Sequence, residues 1–173
     1  MASIGMAFAG LTSGYVVAKG SLEAKNIWQT IALPSAFYIS TAAIILSSIL
    51  LIRGQQAFSK GSPQTALRLL QVAAVLGVVF LGFQLAGWQH LVDANIWFTG
   101  PKSTPAGSWL YVITWFHWMH VVAGVMVLGV TTWKARQGRY TVDSHLGYDL
   151  AAQFWHFLGI LWIYLLLFLA FLR

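Results

Sequence analysis

Apolar residues gather into five runs, 3–18, 31–52, 65–88, 108–133 and 150–171, with short polar stretches between them. Each is close to the length an α-helix needs to cross about 30 Å of hydrocarbon at roughly 1.5 Å per residue, the first being the shortest. The pattern predicts an all-α integral membrane protein, one domain over residues 1–173 built as a bundle of five transmembrane helices. The prolines fit this division. Pro34 and Pro63 stand near the starts of the second and third helices, where a missing N–H is harmless, and Pro101 and Pro105 fall in the longest loop. The first run has no preceding positive segment and Lys19 follows it, so it reads as a membrane helix and not as a signal peptide. Its Gly10, Gly14 and Ala18 recur every four residues, a spacing of small side chains that lets helices approach closely.

Composition strengthens the membrane assignment. Of 173 residues, 58% are hydrophobic and 8% charged, against about 45–50% and 25% in soluble domains. The absence of cysteine excludes disulfides and thiolate metal sites. A net charge of +6 could suggest nucleic acid in a soluble protein, but here the cations are scattered at helix ends, so no nucleic-acid partner is expected. They report topology instead. Arg53, Lys60, Arg68, Lys134, Arg136 and Arg139 lie on the side of the second and fourth loops, and Lys19, Lys25, Lys102 and Arg173 on the other. The richer side should face inward, giving an inside N-terminus and an outside C-terminus. Trp28, Trp97, Trp109 and Trp133 near helix ends suit an interfacial belt.

The acids narrow the chemistry. Glu23, Asp93, Asp143 and Asp149 are the only four, all between or at the edges of the apolar runs, so a proton or ion pathway through intramembrane carboxylates has no foothold here. Histidines remain. His117 and His120 lie on one face of the fourth helix and His156 is in the fifth. If both helices are centred in the bilayer, His156 is displaced ~7–8 Å toward the inside, ~13 Å in depth from His117 and ~9 Å from His120. That separation is too large for one metal unless the helices are strongly offset. The simpler expectation is that neutral imidazoles hydrogen-bond between helices, with Gln71, Gln84, Ser40, Thr41, Ser47 and Ser48 as further partners. His90 and His145, at helix margins, are expected to be solvated.

Several segments resemble subunit III of the haem–copper oxidases, the cytochrome c oxidase and quinol oxidase group. Trp115-Phe116-His117-Trp118-Met119-His120-Val121 is similar to the family's Gly-Phe-His-Gly-Leu-His-Val. Trp155-His156-Phe157 with Trp162 is similar to its Trp-His-Phe-Val-Asp-Val-Val-Trp, and His145-Leu146-Gly147-Tyr148-Asp149 to its His-Phe-Gly-Phe-Glu. Leu33-Pro34 running into Ile45-Leu46-Ser47-Ser48 resembles an earlier helix. The chain departs from the family at three acids, whose places are taken by Ile4, Gly87 and Gly159.

The resemblance implies the short five-helix form, in the bacterial inner membrane, with the C-terminus outside. It implies an accessory subunit with no cofactor or metal of its own, docked on catalytic subunit I, the haem and copper being held by partner subunits of a proton-pumping oxidase. It further implies bound phospholipid and a place in a larger respiratory assembly. His117, His120, Trp155, His156, Trp162 and Gln84 then serve as lipid or interhelical contacts, and Gly10, Gly14 and Ala18 as helix-packing positions. The missing acids favour a structural role over a proton-handling one. Two other readings stay open: a small b-type cytochrome using His117 or His120 with His156, and a homologue serving a nitric oxide reductase or another respiratory assembly.

Overall fold

The computed structural model describes residues 1–140 and 145–172; Asp143 and Arg173, counted above, lie outside the described residues. Five helices follow one another: α1 (Ala2–Glu23), α2 (Ser35–Ser59), α3 (Pro63–Asp93), α4 (Pro105–Arg136) and α5 (Leu146–Phe171). Helices α2 to α5 are long and apolar enough to cross a membrane. α1 is a full helix but not among those four, because Gly5, Gly10, Gly14, Ser3, Thr12 and Ser13 interrupt its apolar residues.

The boundaries differ from the sequence expectation for local reasons. α2 begins at Ser35 and not at residue 31, since Pro34 adopts extended geometry (φ −59°, ψ 141°) and biases the residue before it away from the helical region. Pro105 is not a loop residue but the first residue of α4, behind Thr104, whose hydroxyl accepts from the Gly107 N–H at 3.1 Å. Gly61, at φ +71°, closes α2: its N–H bonds to the Phe58 carbonyl and that of Ser62 to Ala57, so the chain reverses within three residues into α3.

The buried positions follow a seven-residue repeat. α3 buries Ala66, Leu70, Ala73, Gly77, Phe80, Gln84, Gly87 and Leu91, alternating steps of four and three. α2 does the same from Phe37 through Ser40, Ile44, Ser47, Leu51 and Gly54 to Phe58. α4 and α5 carry matching series, His117 and Val121 in one, Trp155 and Trp162 in the other. A 3.5-residue period keeps one seam facing its neighbours and gives the shallow left-handed crossing of four-helix bundles. α2 packs on α3 and α5, and α4 on the same two, closing a ring. α1 lies outside the ring, against α4, held by buried Phe8, Thr12 and Tyr15.

Candidate functional site

The interior is organised by aromatic rings seated in notches left by small residues. Trp155, fully buried, fills the space between α3 and α4: a Cβ added at Gly77 would lie 2.6 Å from its ring, and one at Gly124 3.1 Å. Phe37 occupies the notch at Gly87 in the same way. A glycine at these heptad positions is the condition for admitting so large a ring between two backbones.

One turn up the bundle, polar groups converge on a single backbone carbonyl. Ser40 and Thr41 donate to the Phe37 carbonyl at 2.8 and 2.7 Å. Their oxygens in turn accept from α3 and α5, Ser40 Oγ from Gln84 Nε2 at 2.8 Å and Thr41 Oγ1 from Trp162 Nε1 at 2.9 Å. Three helices are thereby tied through Phe37. Hydroxyls that bond back to their own helix carry little signal in sequence, yet these two do so while receiving a bond from a neighbour. Elsewhere Ser47 donates to the Ala73 carbonyl, Trp88 to Thr114 and Tyr148 to the Leu51 carbonyl. At the end of the bundle carrying the α2–α3 turn, Gln55 donates to Asp149 at 3.0 Å, and Gln71, with its amide oxygen turned toward α4, accepts from Arg136 at 2.9 and 2.8 Å.

The histidines behave differently from the expectation. His117 is fully buried and neither ring nitrogen has a hydrogen-bond partner. It is held as a ring: stacked on Trp162 (5.2 Å between centroids, 25° between planes) and bounded edge-on by Phe80 at 6.2 Å and Phe8 at 6.0 Å. It thus joins α1, α3, α4 and α5 by packing, because the heptad seam that brings it inward places rings and not hydroxyls around it. His120 turns toward α1, 5.7 Å from Phe8, with Nδ1 2.7 Å from the Phe116 carbonyl of its own helix. His156 turns the other way, into a groove shared with α2. His145 is not simply solvated; it stacks on Phe58 at 6.1 Å and lies 3.5 Å from Asp149.

This geometry bears directly on the haem reading. A bis-histidine haem needs two imidazoles facing one cavity. The ring of His117 is enclosed by three aromatic side chains, while that of His156 faces α2, so the two do not address a common space. Among the described residues no group of three or more His, Asp or Glu side chains is placed to hold a metal.

Residues 26–172 match the family model for cytochrome c oxidase subunit III. The chain belongs to that family. It is 28% identical over 163 residues to cytochrome c oxidase subunit 3 of Synechocystis sp., covering 91% of this chain and 66% of the relative. To the Thermostichus vulcanus protein of the same name it is 28% identical over 162 residues, covering 91% and 76%. It is 30% identical over 133 residues to a probable cytochrome c oxidase subunit 3 of Rickettsia prowazekii, covering 76% of this chain and 46% of that protein. The chain thus spans between about half and three quarters of the relatives it matches. With family and four membrane-length helices together, it is an integral membrane protein.

The structure gives each departure from the family's acids a place. Gly87 is filled by the ring of Phe37, leaving no volume for a carboxyl. Ile4 packs against the core from α1. At Gly159 an added Cβ would lie 3.5 Å from Ser48 Oγ, and the position borders the same α2–α5 groove as His156. Of the three small residues on α1, Gly14 meets Trp109, at 2.9 Å from an added Cβ, Ala18 is half-buried, and Gly10 has no neighbour within 4 Å.

Proposed function

We propose that this chain is the non-catalytic subunit III of a proton-pumping haem–copper terminal oxidase, seated beside the catalytic subunit and in contact with phospholipid. Haem and copper belong to the partner subunits. The N-terminus and the α2–α3 and α4–α5 connections face the inside of a bacterial inner membrane, and the C-terminus faces outward.

The observation that carries the reading is the family match over residues 26–172, laid on a bundle whose interior is filled by its own side chains. The bundle's centre is filled by apolar and aromatic side chains, and Glu23, Asp93 and Asp149 stand in the end turns of their helices. What the chain offers is an apolar outer surface, with exposed side chains such as Ile49, Val75, Met126 and Ile160, suited to a neighbouring membrane subunit or lipid. Gentle solubilisation followed by capture of a tagged copy tests it. Co-purification of a large subunit with the absorption of a-, o- or b-type haem is expected; a free, colourless chain in the mildest detergent sinks the proposal. The b-type cytochrome alternative predicts a Soret band from the isolated chain that disappears in His156→Ala.

A further inference from the structure

Between α2 and α5 a groove of about 330 Å³ opens toward the membrane. Its walls are branched aliphatics, Ile45, Ile49 and Ile52 from α2 with Ile160 and Ile163 from α5, several of them strongly exposed. Two polar side chains interrupt this wall, Ser48 and His156; neither ring nitrogen of His156 makes a hydrogen bond, Nε2 being enclosed by the chain itself and Nδ1 being the one an outside group can reach. Ten residues separate His156 from the start of α5 and eleven separate Ser48 from the end of α2, so both lie about 15 Å along their helices from the nearer end. At that depth there is neither water nor lipid headgroup to satisfy an imidazole.

A second recess offers a comparison. That recess, about 570 Å³ between α3 and α4, is lined by Trp88, Phe98, Tyr111 and Trp115. Two of its polar groups are used, Tyr111 donating to the Ile96 carbonyl and Trp88 to Thr114. In the α2–α5 groove neither polar side chain is used, and hydrocarbon against His156 and Ser48 offers their polar atoms no partner.

We infer that the α2–α5 groove is the seat of a transmembrane helix of the catalytic subunit, one that presents a hydrogen-bonding side chain to His156 and Ser48 at mid-membrane depth. The groove runs about two helical turns, from Ile44 to Ile52, the length over which a helix ridge engages a facing pair. A Cβ added at Gly159 on its floor would meet Ser48 Oγ at 3.5 Å and Ile44, so the glycine lets α2 and α5 approach beneath the groove. The face around it is a surface of small and aliphatic residues with one polar station.

The inference depends on the subunit III reading, and its test separates the two. A benzophenone photocrosslinker is placed at Ile160 in the groove or, as a control, at Val75 on the exposed face of α3, and the tagged oxidase is isolated after illumination of membranes. A covalent adduct to the haem-bearing subunit from Ile160, with none from Val75, is expected. Adducts to lipid alone from Ile160, or equal protein adducts from both positions, overturn the groove assignment while leaving the subunit III reading intact. Absence of any haem-bearing subunit from the unmodified preparation overturns the subunit III reading and the groove assignment with it. In parallel, Ser48→Ala and His156→Leu should each weaken retention of the large subunit roughly three- to twenty-fold, the range of a single interhelical hydrogen bond. Unchanged retention in both variants counts against the polar station.

Discussion

At the scale of single residues, His117 is the side chain whose role the structure changes most. Sequence suggested a hydrogen bond between helices, which the geometry does not supply: the side chain is fully buried with neither ring nitrogen bonded. Spacing along one helix fixes depth but not which of a neighbour's groups stands opposite, and here the groups opposite are Trp162, Phe80 and Phe8. The expected consequence is that His117→Phe, which preserves a flat ring of similar size, changes thermal stability in detergent by less than about 1.5 kcal/mol. His117→Ala, which empties a fully buried site, should cost more, about 2–4 kcal/mol. A phenylalanine variant as damaged as the alanine one would mean that the imidazole nitrogens matter. Gly124 gives the complementary case. Its neighbour Trp155 is locked between two helices, so Gly124→Leu forces ring and backbone apart and should lower stability by about 1–3 kcal/mol or block accumulation in the membrane.

At the scale of elements, the bundle is held less by strength at any one contact than by polar ties at helix seams. The Phe37 carbonyl, with Ser40, Thr41, Gln84 and Trp162 around it, fastens α2 to α3 and α5 at one level. Thr41→Val keeps the shape but removes the acceptor of a buried indole N–H. It should cost about 1–3 kcal/mol in thermal denaturation of the purified protein, and less when made in a Trp162→Phe background, where the donor is already gone. α1 depends on a narrower seam. Phe8 is its central anchor, against His117, His120 and Phe116, and Tyr15 donates to the Leu172 carbonyl at 3.1 Å. Lipid already solvates apolar surface, so Phe8→Ala loses packing and little else. It should loosen α1 by about 1–2 kcal/mol, below the ~3–5 kcal/mol of aqueous cores, and speed proteolytic removal of the N-terminal helix about tenfold or more.

At the scale of the whole molecule, helix number and order were readable because long apolar runs are nearly sufficient for them. Which face of each helix points inward was not readable from hydrophobicity, since exposed Val75 or Val78 is as apolar as buried Leu70 or Leu165. The signal that carries it, unread in the sequence, is the seven-residue recurrence of small and polar residues such as Ala73, Gly77, Gln84 and Gly87, which an apolar pattern hides. Orientation is the remaining property, and it can be settled directly because the chain contains no cysteine. Ser62, at the start of α3, and Thr99, in the connection before α4, are both exposed and at opposite ends of α3. In Ser62→Cys the thiol lies on the side holding Arg53, Lys60, Arg68, Lys134, Arg136 and Arg139, the side that the charge rule expects in the cytoplasm. A membrane-impermeant maleimide added to intact cells should therefore label Thr99→Cys and leave Ser62→Cys untouched until the membrane is opened. The reverse pattern would invert the bundle, and with it the end of the α2–α5 groove that lies nearer the cytoplasm.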